Sequence, residues 1–372
     1  ASDVYKRQDE VRAALRGYFT DHPGIAEVRH NRDHFDEKQM VTAGFDRQAW
    51  ARLAEQVGVA GLGAPPAWGG VGLGPAHLIA AAEECGAALY PGPVRAVLSM
   101  AVGLTGNAPG DLPPGVADVV GAALTGQATV GMPTRDGGLD VRDGQVGGRA
   151  DAVTHGGVAD LVLAEVNTPD GPALAVVVTA AASRDQVTSV DIAIPLAHIT
   201  FDCAPAAPLT EPGDGVTLGR LRRLSSLLLA AEQVGGAQGC LNGMVEYATA
   251  REQFGKLIGT YQAIQHRCAQ TAVAIASARA LVGAAAQAHD AGDDAVAEQL
   301  ALLAGAEAAD SYSVASDALI QVSGGIGFTW EHDAHLHFRR ARTTATLGGT
   351  PDRLRHRAVA AGCLDLLTGG AA

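Results

Sequence analysis

The chain has 372 residues, enough for two or three domains around a large buried core. Its formal charge of −13 repels phosphate backbones and excludes nucleic acid as the expected partner. No uninterrupted apolar run approaches the roughly 18 residues of a membrane span, and no signal peptide is evident, so neither is expected.

In chain order, Ala1 to Gln8 lacks an initiating methionine and is set apart from the fold. Residues 9–124 then read as a helical domain. Val11 to Phe19, Arg47 to Val57 and Ala76 to Ala88 have amphipathic helical spacing, with Pro65-Pro66 and Gly69-Gly70 breaking the chain between them. Asn107 to Gly115 reads as a loop. Residues 125–218 change character. Short β-type runs start at Ala128, Gly138, Asp160, Ala173 and Ile199, and Asp143-Gly144 and Asp170-Gly171 are hairpin signals. A compact antiparallel β domain is expected there, inserted between two helical domains.

Residues 219–372 return to helix. From Arg220 to about Arg251, Leu224, Leu227, Leu228, Ala231, Val234, Leu241 and Val245 recur at helical spacing without a proline, predicting roughly 45 Å of helix. Gly235, Gly236 and Gly239 each weaken it by about 1 kcal/mol relative to alanine. Such glycines are expected where another backbone packs closely, so the helix should be buried among others. A glycine-bounded turn leads to a second helix, Ala263 to Ala288.

Aromatics make up only 4% of the chain, so small aliphatic residues should build the core. Cys85, Cys203, Cys240, Cys268 and Cys363 are scattered, without a Cys-x-x-Cys pair. Buried thiols in a reducing cytoplasm suit them better than disulfides or a metal site. Gly324-Gly325-Ile326-Gly327 is not read as a dinucleotide fingerprint, because no strand precedes it and no βαβ unit surrounds it.

Four motifs, in order, resemble the acyl-CoA dehydrogenase family. REQFGKLIGTYQAIQH, starting at Arg251, is similar to Arg-x-x-Phe-Gly-x-x-Ile-x-x-x-Gln. The stretch from Gly58 to Gly74, with Glu83-Glu84-Cys85-Gly86, resembles the family's Pro-x-x-x-Gly-Gly-x-Gly and Glu-x-x-Gly run. Gln321 to Glu331 resembles Gln-x-x-Gly-Gly-x-Gly-x-x-x-Glu, and Arg339 to Thr350 resembles the strip ending in Glu-Gly-Thr. The match covers the chain from about Asp9 to Leu367. It implies a mostly α fold with an inserted β domain: a helical N-domain, a β-barrel or sandwich, and a C-terminal four-helix bundle.

The resemblance also implies flavin adenine dinucleotide (FAD) at a subunit interface, an acyl-CoA substrate and electron-transfer flavoprotein as acceptor. By position, Arg251 would contact the pyrophosphate, with Phe254 and Gln262 beside the adenosine. Gln321, Gly324 and Gly325 would touch the partner subunit's adenine nucleotide, and Thr350 matches the family threonine. A guanidinium suits pyrophosphate because it binds bidentately, and glycines let amides come close. The other reading of Arg251 is a surface pair with Glu252 or another nearby carboxylate. The basic strip from His335 to Arg357 reads either as attraction for phosphates or as a solvated or subunit-contact face.

What departs from the family is the catalytic base. Members remove the α-proton of the thioester with a glutamate. Most carry it in the Glu-Gly-Thr strip, where this chain has Gly348; a minority carry it on the long helix, where this chain has Ser225, followed by Ser226 at the family arginine position. Glu232 shares a helix face with Ser225 but lies about 10 Å further along, too far to substitute. Near the flavin, Thr-Glu-Pro…Gly-Ser-Asp is replaced by Met132-Pro-Thr-Arg-Asp-Gly-Gly, and Trp-Ile-Thr/Ser by Ala152-Val-Thr. The expectation is a subunit without its own base, working with a paralogous chain in a heterotetramer of the steroid side-chain type. The alternatives are a self-sufficient flavin enzyme with a displaced base, and a flavin-free scaffold or binding protein.

Overall fold

The computed structural model describes residues 2–34, 45–135, 137–142 and 144–368. Asp143 of the first hairpin signal and Asp136 of the altered flavin motif lie outside them. The chain divides into two compact units, residues 1–22, 26–78 and 91–225, and residues 23–25, 79–90 and 226–372.

The N-terminal part is helical: α1 (Ser2–Asp21), α2 (Gly24–Asp33), α3 (Arg47–Val57), α4 (Pro75–Ala87), α5 (Val94–Gly103) and α6 (Pro114–Leu124). α1 takes in residues that the sequence reading set apart. α3 has the expected bounds because both ends are signalled locally. Asp46 accepts from the Gln48 amide at 2.7 Å, and Gly58 ends the helix at φ +72°.

The β strands are β1 (Val130–Gly131), β2 (Leu139–Arg142), β3 (Gln145–Thr154), β4 (Leu161–Thr168), β5 (Gly171–Val178), β6 (Ser183–Val187) and β7 (Leu196–Pro208). Five of them close a ring in the order β4, β2, β3, β7, β5 and back to β4. Leu139, Val141, Val146, Val162, Val166, Val177, Ile199 and Phe201 fill its interior. The expectation of a purely antiparallel sheet is corrected here. β2 and β4 run parallel, as do β1 and β4. Directions cannot alternate all the way round a ring with an odd number of strands, so one neighbouring pair must run the same way. β6 was missed because SRDQV has no apolar alternation; it is a mostly exposed strand against β7.

The C-terminal part contains α7 (Gly215–Ala250), a small hairpin of β8 (Glu252–Gln253) and β9 (Lys256–Leu257), then α8 (Gln262–Ala291), α9 (Asp294–Ser323), α10 (Ala334–Leu347), α11 (Pro351–Ala360) and α12 (Asp365–Thr368). α7 has 36 residues, about 54 Å, and starts five residues earlier than expected. The Asp214 carboxylate accepts from the Val216 and Thr217 amides at 3.1 Å and caps that start.

Gly235, Gly236 and Gly239 of α7 have the expected role. A Cβ on Gly235 would lie 1.9 Å from the Glu83 carbonyl oxygen, one on Gly239 would lie 2.7 Å from that of Ala87, and one on Gly236 would lie 2.4 Å from the Tyr312 ring. α4 and α9 therefore press directly on α7.

One expectation needs correction. Cys203 is exposed and Cys268 is half-buried, so only Cys85, Cys240 and Cys363 are buried thiols. Among the described helices, α8 is long and apolar enough to cross a membrane by length and composition. Its Arg279, which interrupts the apolar run, donates to Glu83 at 2.7 Å, and Ile275, Ala278, Val282 and Ala285 are buried in the bundle.

Candidate functional site

The packing of α7, α8 and α9 gathers most of the expected nucleotide contacts at one end of the bundle. α7 and α9 run parallel, since Gly236 meets Tyr312 and Gly243 meets Leu319. α8 returns antiparallel to α7, with Gly259 against Ala248 and Arg279 donating to Gln238 at 3.1 Å. The end of α7, the start of α8 and the end of α9 therefore share one end, and the Tyr247 and His332 rings meet there at 6.0 Å. Arg251, Phe254, Gln262, Gln321, Gly324 and Gly325 all lie there, exposed.

Arg251 forms no ion pair among the described residues, so the surface pair with Glu252 is not made. Phe254 and Gly255 are the two central residues of the β8–β9 hairpin, at φ +54° and +78°, a primed turn. Phe254 is 94% exposed in a left-handed conformation that costs a bulky residue about 1–3 kcal/mol. Gly324 ends α9 at φ +67°, and a Cβ on it or on Gly325 would meet nothing within 4 Å. The glycine run follows a helix and forms a 3₁₀ turn, Gly324–Phe328, as its rejection as a dinucleotide fingerprint required.

Thr350 is not part of that group. It lies with Gly348 beyond the last turn of α10, and the same region of α7 holds the second base position. A Cβ on Gly348 would lie 3.3 Å from Leu229 Cδ2, and Leu229 is one helical turn after Ser225. The two base positions are occupied by a glycine that faces Leu229 and by a buried serine.

Glu232, one turn beyond Leu229, is not a bystander. Arg340 of α10 donates to its carboxylate at 3.1 Å and to the Tyr90 carbonyl at 3.4 Å. Arg340 is 2% exposed and Glu232 21%. The pair ties α10 to α7, and Arg340 also ties it to the segment that follows α4. The sequence carried a signal for it: Leu336, His337, Arg340, Ala341 and Thr344 form a helical stripe, and the structure buries that stripe.

Most of the basic strip is neutralised internally. Arg342 pairs with Asp317 at 3.1 Å, Arg355 with Asp310, and Arg357 with Glu298 at 3.3 Å, while Arg339 stacks over Trp330.

Next to Arg340, burial pushes the imidazole of His337 down to about 4, opposed by Asp333 and helped by Arg340 and His332. The unfolded chain therefore takes up a proton that the folded chain refuses, and stability is lost as pH falls from 6.5 toward 4. Urea unfolding is expected to show a loss of about 2 kcal/mol between pH 7 and pH 5, and His337→Gln should remove that part of the pH dependence.

In the β ring, the two departing flavin motifs are neighbours, because Met132 and Thr154 form a bridge. The Met132 amide donates to the Thr154 hydroxyl at 3.3 Å. Ala152 stands where the family has tryptophan. It sits at a register shift with φ +45°, its amide donating to His198 Nδ1 at 3.2 Å. A small residue accepts that bulged conformation at less cost than a large one.

A family model for the acyl-CoA dehydrogenase N-terminal domain matches residues 6–108, and one for the C-terminal domain matches residues 220–362. Acyl-CoA dehydrogenase IpdE2 of Mycobacterium tuberculosis is 34% identical over 315 residues, covering 84% of this chain and 86% of that protein. Among solved structures, a variant of the Tcur3481-Tcur3483 steroid ACAD aligns with a TM-score of 0.80 at 24% identity, over 99% of this chain and 100% of that one. The ChsE4-ChsE5 complex from Mycobacterium tuberculosis aligns with a TM-score of 0.78 at 21% identity, over 94% and 95%. The structures carry the likeness of fold, the sequence matches carry descent, and together they make this chain a member of the acyl-CoA dehydrogenase family.

Proposed function

We propose that this chain is the partner subunit of a heterotetrameric acyl-CoA dehydrogenase, gripping a neighbour's FAD while the neighbour supplies the proton-abstracting carboxylate. One observation carries this reading: neither position from which the family draws its base, Gly348 or Ser225, has a carboxylate. A glycine has no side chain to take up a proton, and a serine hydroxyl does not act as a base near neutral pH without a partner.

The opposite end of the bundle fits the cofactor. Arg251 presents an exposed guanidinium without an ion-pair partner among the described residues, suited to a pyrophosphate. Phe254 and Gln262 would flank the adenosine, Gln321, Gly324 and Gly325 would approach the adenine nucleotide, and Thr350 would serve at the other end. Hydride acceptance from the β-carbon is what the flavin supplies when bound. The names of the relatives agree with a paired assembly: one solved neighbour is a ChsE4-ChsE5 complex, and another is called a steroid ACAD. A steroid-derived or other lipid acyl-CoA is the substrate class in this reading, with electron-transfer flavoprotein as acceptor and the cytoplasm as compartment.

The chain purified alone should be nearly colourless and inactive. Co-expression with a paralogue carrying an intact glutamate should give yellow protein that oxidises acyl-CoA. Stoichiometric flavin and turnover in the isolated chain would reject the proposal. In the pair, Arg251→Gln should lower flavin affinity at least about tenfold, the loss of a charge-assisted bond. Its melting temperature without flavin should stay unchanged, because the side chain is exposed and makes no ion pair among the described residues.

A further inference from the structure

One ring nitrogen in the β domain has two contacts that exclude each other. Nδ1 of His198, on β7, lies 3.2 Å from the Ala152 amide, which can only donate, so the nitrogen must bring a lone pair. The same Nδ1 lies 2.7 Å from Asp151 Oδ1, and an ionised carboxylate only accepts, so there the nitrogen must bring a hydrogen. Asp151 stays ionised because the Arg149 guanidinium, which donates to the same oxygen at 2.9 Å, holds its carboxyl below the ordinary range, with His198 adding to the effect. A nitrogen holds either a lone pair or a hydrogen. The proton on Nδ1 therefore decides which contact exists.

The choice falls on a strained point of the backbone. Ala150 pairs with Ile199 and Val153 with Ala197, so Asp151 and Ala152 both stand opposite His198 in a bulge. Ala152 holds φ +45° there, a left-handed conformation that an alanine keeps only when its surroundings hold it. The amide contact with His198 is one such hold. The bulge is also linked to the first altered motif: the Asp151 carbonyl accepts from the Thr134 amide at 3.4 Å, and Met132 bridges Thr154. Among the described residues, the charged groups beside the ring come from both flanking strands. Asp151 and Arg149 belong to β3, and Asp185 of β6 is the register partner of His198. Arg149 Nη1 lies 3.9 Å from Asp185 Oδ2, between the two strands. The His198 side chain is 28% exposed, so water can deliver and remove its proton.

We propose that His198 is a proton-operated latch on this bulge. Neutral, its bare Nδ1 accepts from the Ala152 amide and holds the left-handed turn; protonated, Nδ1–H donates to Asp151 instead and the Ala152 amide is released. The proton comes from water and returns to it. The inference stands independently of the subunit role proposed above.

The test uses the full chain labelled with ¹⁵N in histidine and alanine, titrated from about pH 8 to about pH 5, the range in which imidazoles change charge. Ring ¹⁵N shifts should show Nδ1 of His198 bare at the upper end and protonated at the lower. The Ala152 amide resonance should move with the same midpoint. Its hydrogen exchange, corrected for the intrinsic rate at each pH, should lose about fivefold in protection, the worth of one hydrogen bond. Asp151→Asn should lower the midpoint by about half a pH unit, because the imidazolium loses its counter-ion. His198→Phe should leave the Ala152 amide weakly protected at every pH. An Nδ1 that is protonated throughout, or bare throughout, would overturn the proposal. So would an Ala152 amide that does not follow the ring, or an unchanged midpoint in Asp151→Asn. If either variant fails to fold, the titration of the parent chain decides alone.

Discussion

Glu232→Ala is expected to lower the unfolding free energy by about 3–5 kcal/mol, measured by urea denaturation at pH 7. The loss comes less from a missing attraction than from what is left behind. Arg340 is 2% exposed and its guanidinium stays charged, so removing Glu232 takes away a carboxylate partner where water cannot compensate. Arg340→Met should cost less, because the carboxylate left on Glu232 is 21% exposed and gains partial hydration. The double variant Glu232→Leu/Arg340→Met should recover most of the loss, since a buried ion pair exchanged for apolar side chains of similar volume is often close to neutral. A Glu232→Ala cost below about 1 kcal/mol would show that the pair does not hold α10 against α7.

Gly235→Ala is expected to destabilise by about 3 kcal/mol or more. The added Cβ would lie 1.9 Å from the Glu83 carbonyl oxygen and 2.8 Å from the Ala87 amide nitrogen. Both are backbone atoms of α4 and cannot rotate away, so the helices must separate along the contact. Helix propensity pulls the other way, since alanine is favoured over glycine by about 1 kcal/mol within a helix. Gly219→Ala, on the same helix, isolates that second effect because its Cβ would meet nothing within 4 Å. Gly219→Ala should therefore be neutral or stabilising by up to about 1 kcal/mol. If urea midpoints for the two variants moved together, close approach of α4 would not be the reason for Gly235.

How much was legible in advance depended on the range of the interaction. The bounds of α3 follow from Asp46 and Gly58, which act within four residues of the helix ends. The extent of α7 followed its apolar spacing, apart from a first turn capped by Asp214. Motif residues such as Arg251 and Gln321 could be named from their spacing. That they lie at the same end of the bundle depends on the directions of α7, α8 and α9.

Other features had no local signal. SRDQV of β6 lies in a strand because β7 offers it backbone partners, not because of its own side chains. The parallel pairing of β2 with β4 follows from closing five strands into a ring, which no hairpin sequence encodes.

From its sequence alone the chain determined where α3, α4, α7, α8 and most of its strands lie, which motifs it carries, and that Gly348 and Ser225 stand where a carboxylate would. Those are matters of spacing and side-chain identity, fixed before any part of the chain touches another. Only the tertiary structure decided that Gly348 faces Leu229 of α7, that Glu232 neutralises a buried arginine, and that His77 is enclosed with no hydrogen-bond partner among the described residues. Each depends on residues distant in sequence being packed to within hydrogen-bond or van der Waals distance, where burial sets what an unpaired polar group costs.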